Sequence, residues 1–336
     1  MRRFLLLFIL IGVTASAQEA TEQQTSVFGD YYPISIKPTV RYLSSMVDQE
    51  EILFDANPVV YYSFYNNMVK NLQDESDKRF SSTFYASFQP HIRMYNENSR
   101  PVKTPSYRVL LGFQLLRKTD GNHFLAAALE SGHYSNGQSG CAFDINLDDE
   151  TSPCDAIYAM ITDQTNLSDI LNRVNGNFST NFTRVSGNFR YNNLKKNTPY
   201  QVHSFTGWYE LWHNNMFFLA DLGGYNPLDI DIYGRHRLGF EYEYLHTYKE
   251  TLKYSVGLRM EGISGAHPSV EPLRAEVFGT WYPFKSDFGF FVSYIYGHDN
   301  YNYRFVDSGN QISVGVSWDW FTPFQIKRVE NLRSKQ

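Results

Sequence analysis

From about residue 80 onward the chain alternates apolar and polar residues with a period of two. Phe84, Ala86, Phe88, Pro90, Ile92 and Met94 share one face, and Tyr85, Ser87, Gln89, His91 and Arg93 share the other. Leu238, Phe240, Tyr242 and Tyr244 alternate in the same way with Arg237, Gly239, Glu241 and Glu243. The pattern recurs at Leu252, Tyr254, Val256, Leu258 and Met260, and at Ile312, Val314, Val316, Trp318 and Trp320. Successive side chains of a strand point to opposite faces, so period two is a strand signal. The segments run about 9–13 residues, which suits a tilted membrane-crossing strand better than the five or six residues of a soluble sheet. Strands are predicted at 57–65, 80–94, 106–117, 123–135, 180–192, 201–212, 214–222, 232–246, 251–262, 271–283, 287–297 and 310–320. That is about twelve, an even number, as closure of a bacterial barrel requires.

Composition narrows the class. Of 336 residues, 42% are hydrophobic and 17% aromatic, yet mean hydropathy is −0.42. A polytopic helical membrane protein needs repeated apolar runs of about 20 residues, which this dilution excludes. Disordered chains are poor in aromatics, so disorder is excluded too. The net charge of −5 gives no electrostatic reason to expect nucleic acid as a partner. What remains is an all-β chain, and the expectation is a single antiparallel transmembrane β-barrel. Its mid-strand Arg, Glu and Lys would line the interior and pair there. The competing architecture is a secreted β-sandwich.

Residues 1–17 fit a cleaved signal peptide: Arg2 and Arg3, an apolar stretch from Phe4 to Val13, then Ala15-Ser16-Ala17. Export places the two cysteines, Cys141 and Cys154, where they can pair and staple a local loop. The expected organisation is a leader over 18–56, a barrel over 57–320 and a polar tail over 321–336. Residues 139–176 form an insertion, rich in Asp and Glu, that reads as a solvated surface loop.

One stretch carries chemistry: His133-Tyr134-Ser135-Asn136-Gly137-Gln138. The strand before it has Leu125, Ala127 and Leu129 on its apolar face. Parity carries that face on to His133 and Ser135, so both are expected to point outward near the strand end. Residues two apart on a strand share a face with Cα atoms about 6.6 Å apart. An imidazole and a hydroxymethyl group can meet at that distance, as a general base and a nucleophile. The following Asn-Gly gives backbone freedom for an N–H to face an oxyanion.

Here the sequence resembles the outer-membrane phospholipase A enzymes. Their signature is His-x-Ser-Asn-Gly-(Arg) at a strand end, then Ser-Arg-Ser-x-Asn-Arg at the start of the next strand. This chain matches the first motif at 133–137, with Gln138 at the Arg position, and has Asn177-Phe178-Ser179-Thr180-Asn181-Phe182-Thr183-Arg184 for the second. The resemblance extends to Arg100–Tyr107, to Tyr282–Lys285, to Tyr294–Gly297 and to Val314–Val316, and so covers most of 80–320. It implies His133 as general base, Ser135 as nucleophile and the Gly137 N–H as oxyanion donor. It implies an orienting residue on the next strand, Asn181 or Thr183 according to the alignment. Both share the outward parity of Val185 and Phe189, and reach favours the Asn181 amide.

The resemblance also implies Ca²⁺ held across a homodimer. Its ligands would map to Gln138 and to Ser179 or Asn177, with the second chain contributing near Arg100. A cation there is a poor calcium ligand, which predicts a weak or altered calcium response. The implied function is a phospholipase of A1/A2 type in the bacterial outer membrane, cleaving acyl esters of membrane phospholipids. The alternative is a catalytically inactive outer-membrane barrel, serving as a small channel or scaffold.

Overall fold

The computed structural model describes residues 30–45, 51–68, 71, 80–98, 101–119, 123–195, 198–216, 220–221, 224–248, 251–283 and 288–319. The segments expected to be a signal peptide, 1–17, and a polar tail, 321–336, lie outside them.

Twelve antiparallel walls close on themselves. They are β1 (Thr39–Ser45), β2 (Ile52–Asn57) continued by β3 (Val60–Asn66), β4 (Phe80–Tyr95), β5 (Ser106–Lys118), β6 (Phe124–Ser135), β7 (Ser179–Lys195) and β8 (Thr198–His213). A small hairpin of β9 (Asn215–Met216) and β10 (Ala220–Asp221) then forms a separate two-stranded sheet beside β6 and β7. The wall resumes with β11 (Gly234–Tyr248), β12 (Thr251–Ala266), β13 (Leu273–Trp281), β14 (Phe288–His298) and β15 (Ser308–Trp318). Each wall pairs with its neighbours in sequence, β15 pairs with β1, and both β2 and β3 pair with β4. Pro58 separates β2 from β3; it has no N–H for the ladder, and the strand breaks there.

The predicted parity is the parity of the wall. Phe84, Phe88, Leu125, Leu129, Val185, Phe189, Val256, Val292 and Val314 are exposed, and together they make an apolar exterior. Arg41, Asp55, Arg93, Glu130, Glu210 and Arg237 are buried on the inner face. Asp55 accepts from Arg41 Nε at 3.1 Å and Arg93 Nε at 2.6 Å, and lies 2.9 Å from His91 Nε2. Glu210 accepts two hydrogen bonds from Arg108, both 3.0 Å, and one from Arg184 Nε at 2.8 Å. Charges buried this way hold only because each finds a partner.

The barrel starts earlier than the sequence pattern predicts. Within 18–56, assigned to the leader, residues 39–45 form β1 and residues 52–56 form most of β2. Residues 30–38 run inside the lumen. There Tyr32 stacks on Tyr61 with ring centres 4.6 Å apart, and Ile34 N–H donates to Gln114 Oε1 at 3.1 Å. Lys37 pairs with Glu243 and Asp319. Conversely, the described residues of 214–222 form the β9–β10 hairpin in place of the expected wall. One missed wall and one surplus assignment cancel, so the expected count of about twelve matches.

The connections that follow β6, β8, β12 and β14 leave from one end of the barrel. The insertion at 139–176 is a packed cap rather than a solvated loop. It carries α1 (Ser152–Met160) and α2 (Leu167–Ile170), joined to its base by a Cys141–Cys154 disulfide with Cα atoms 5.8 Å apart. Thr151 caps α1 and Pro153 sits in its first turn. Phe143, Tyr158, Leu167 and Leu171 are buried in one cluster with Tyr134, Phe178, Trp212, Tyr233 and Phe305 from the barrel mouth. Apolar burial of this kind, not the acidic surface, decides the fold of the insertion.

Asp229, buried on α3 (Pro227–Tyr233), accepts a 2.7 Å hydrogen bond from Tyr158 Oη on α1. Burial pushes its carboxyl up to about 7, against the lowering effect of the Tyr158 bond and with a raising contribution from Asp149. The closed cap therefore binds this proton more tightly than an open one. Cap stability is full below the ordinary carboxylate range, near pH ~4, and falls as pH rises toward 7. Amide exchange in 152–160, corrected for its intrinsic pH dependence, should quicken between pH 5 and 7. Asp229→Asn should flatten that profile. An equally steep profile in the variant would show that another group is responsible.

Candidate active site

β6 leaves the membrane belt at its C-terminal end. Leu125, Ala127 and Leu129 are exposed on its outer face, and Ser131, His133 and Ser135 continue that face half-buried. Tyr134, between the last two, points inward and is buried. His133 lies opposite Val109 of β5 and Asn181 of β7, and Ser135 lies opposite Tyr107 and Ser179.

The register brings His133 and Asn181 into contact. His133 Nδ1 is 2.9 Å from Asn181 Oδ1. An amide oxygen only accepts, so Nδ1 carries a proton, and in the neutral ring the lone pair is on Nε2. Asn181 is fully buried, and its Nδ2 donates to the Asn214 carbonyl at 3.0 Å. Thr183 goes elsewhere: its Oγ1 lies 3.0 Å from His213 Nε2 and 3.1 Å from Ser131 Oγ. Among the described residues no hydrogen bond joins Ser135 Oγ to His133. Contacts of this type often tighten only around a bound substrate.

Gly137 has φ +64°, in the left-handed region, and is exposed. Glycine adopts that conformation without a Cβ clash. Among the described residues its N–H has no partner. Asn136 fixes the turn. Its N–H donates to the Phe178 carbonyl at 3.1 Å, and its Nδ2 donates to the Gly176 carbonyl at 2.8 Å. Its Oδ1 accepts from the N–H groups of Phe178 at 3.1 Å and Gln138 at 3.2 Å. One buried amide thus ties the end of β6 to the start of β7.

Twelve walls, an apolar exterior and a charged lumen make this a barrel of the bacterial outer-membrane type. No family model and no curated protein matches the chain. Solved structures do match. Outer membrane phospholipase A from Escherichia coli is 12% identical with a TM-score of 0.48, over 90% of this chain and 95% of that one. A Salmonella typhi outer membrane phospholipase, solved as a dimer with bound calcium, is 11% identical with a TM-score of 0.47, over 87% and 93%. An outer membrane channel from Pseudomonas putida is 10% identical with a TM-score of 0.41, over 86% and 98%. Likeness at this identity concerns architecture alone.

At the calcium positions implied by the sequence, the side chains make bonds of their own. Gln138 Nε2 turns back to the Gly137 carbonyl at 3.3 Å, and Asn177 Nδ2 donates to Asp149 Oδ2 at 2.6 Å. Gln138, Ser179 and Asn177 offer neutral oxygens and no carboxylate, whereas Ca²⁺ takes six to eight oxygens, carboxylates prominent among them. Among the described residues no cluster of three or more His, Cys, Asp or Glu could hold a metal. Arg100 lies outside the described residues.

Two neighbours of the pair were not anticipated from sequence. His213 shares the outward parity of Tyr209 and Leu211, so strand alternation alone would have found it. Asn214 acts through its backbone carbonyl, which no side-chain pattern reveals.

Asn136→Ala strands a buried carbonyl and a buried N–H at once. Each unmet group costs about 1–3 kcal/mol. The variant should lose heat-modifiable, folded barrel at lower temperature or denaturant than the parent. An unchanged midpoint would show that the turn does not depend on this amide.

Proposed function

We propose that the chain is an acyl ester hydrolase of the outer membrane, acting on phospholipids from its lipid-facing surface. The observation that carries it is the 2.9 Å contact between His133 Nδ1 and Asn181 Oδ1, on the same outer face as Ser135. The contact leaves Nε2 basic on a ring that shares a strand face with a hydroxyl.

In the proposed reaction, Ser135 Oγ attacks the ester carbonyl carbon and its proton passes to His133 Nε2. The carbonyl oxygen becomes an oxyanion, and the exposed Gly137 N–H is its donor. The ester C–O bond breaks, and the leaving lysolipid alkoxide takes the proton from His133. Water then attacks the acyl-serine, giving up its proton to His133, and releases the fatty acid with Ser135 restored. Asn181 holds the ring and steadies the imidazolium, as the carboxylate does in serine proteases. The location suits the substrate, because an ester near the headgroup reaches this strand end without leaving the bilayer.

No step is assigned to Ca²⁺, since the mapped donors form a poor cage for it. A homodimer stays within the proposal, as a second copy can cover the apolar surround of a site that opens toward lipid. The inactive-barrel alternative needs no outward His–Asn–Ser arrangement. A transport role is disfavoured by residues 30–38 in the lumen and the cap over its mouth, which leave a charged cavity of about 310 Å³.

Refolded protein in detergent should cleave phospholipid esters, and Ser135→Ala should abolish this while keeping a heat-modifiable barrel. Asn181→Ala should reduce turnover by about one to three orders of magnitude, an orienting contact of a few kcal/mol being lost. Thr183→Ala, which leaves His133 untouched, should cost less than about tenfold. Full activity in Ser135→Ala, or a larger loss at Thr183 than at Asn181, would contradict the assignment.

A further inference from the structure

We propose that the corner following β8 sets the tautomer of His133, with the Asn214 carbonyl as the fixed point and Gly224 as the residue that keeps it in place. The inference rests on the hydrolase assignment above and names how that site is positioned.

A primary amide is nearly symmetric in shape, and its partners decide which end faces where. A backbone carbonyl can only accept. The end of Asn181 that faces Asn214 is therefore the NH₂, at 3.0 Å. The opposite end, Oδ1, is then forced toward His133 Nδ1. A proton must sit on Nδ1, and Nε2 is left as the base. The chain of cause runs from a main-chain oxygen, through one buried amide, to the ring.

The fixed point is itself held. Asn181 pairs in register with His213, the last residue of β8, and His213 Nε2 lies 3.0 Å from Thr183 Oγ1. Gly224 presses on the corner from outside. A Cβ built on Gly224 would lie 2.4 Å from the Asn214 oxygen, 2.6 Å from its Cα and 2.8 Å from its Cβ. Two of these three are main-chain atoms, so no side-chain rotation relieves the clash. Gly224→Ala must move the carbonyl or the segment that carries it. Gly224 touches neither His133 nor Ser135 in the proposed reaction, and it is a positioning residue only.

Two variants test this against the parent and Ser135→Ala. In Gly224→Ala, kcat should fall about 10- to 100-fold, the cost of a misplacement of about 1 Å, with KM changed less than about twofold. Asn181→Asp gives the sharper result. A carboxylate is ordinarily the stronger acceptor for an imidazole, but its second oxygen would face the Asn214 carbonyl with no proton between them. The variant should therefore stay below the parent at every pH, because an ionised carboxyl has no proton for the Asn214 carbonyl, and acid that restores that proton also removes the lone pair the base needs. ¹⁵N shifts of the His133 ring should report the Nδ1–H tautomer in the parent and a mixture in Gly224→Ala.

Folded Gly224→Ala with parental kcat and tautomer would overturn the proposal. So would Asn181→Asp matching or exceeding the parent across the pH range. If Gly224→Ala does not fold, the Asn181→Asp profile decides alone. Activity surviving in Ser135→Ala would instead mark failure of the hydrolase assignment, and the ring shifts would still report on the corner.

Discussion

In hydrocarbon an unpaired backbone N–H or carbonyl costs several kcal/mol, so a sheet that crosses a membrane must close. Closure is the constraint on which the rest of this molecule depends. Each wall pairs with two neighbours, the β2–β3 wall with β1 through β2 and with β4 through both, which leaves each side chain only two directions, inward or outward. The charged residues go inward, where Asp55 and Glu210 each gather cations from several walls. The outward direction belongs mainly to Phe, Leu, Val and Tyr as far as the end of β6. There the same parity turns a histidine and a serine toward the lipid. The candidate site is thus a consequence of the period of two and of the register between β6 and β7.

The cap and the site share their foundations. The turn after β6 carries Gly137 and also opens the insertion, and Asn136 binds it to the residues that lead back into β7. Phe178, one residue before β7, packs against Tyr134, Trp212 and Tyr233. The Asp149 carboxylate of the cap takes the Asn177 amide. A disturbance of the cap therefore reaches the strand ends that hold His133 and Asn181 through a few named contacts.

Strand parity was legible in sequence because it is a local property of each wall. That is why the outward placement of His133, Ser135 and Asn181 could be read, and why the amide's reach favoured Asn181 over Thr183. β1 and β2 were not legible. They are short, they lie between polar segments, and β2 is cut by Pro58. Residues 214–222 carry enough aromatic and apolar residues to imitate a strand, but the chain turns there to make the corner against Asn181. The cap was misread because its acidic residues are conspicuous, whereas its buried cluster draws on residues from distant parts of the chain. The orienting carbonyl of Asn214 has no side-chain signature at all.

The central claim is that Ser135 is a nucleophile activated by an oriented His133. An alkyl sulfonyl fluoride reacts with an activated serine and spares ordinary hydroxyls. Native barrel treated with such a reagent and mapped by peptide mass should carry one label, on Ser135, and His133→Ala should prevent it. A folded barrel that takes no label, or takes it equally well without His133, would contradict the account.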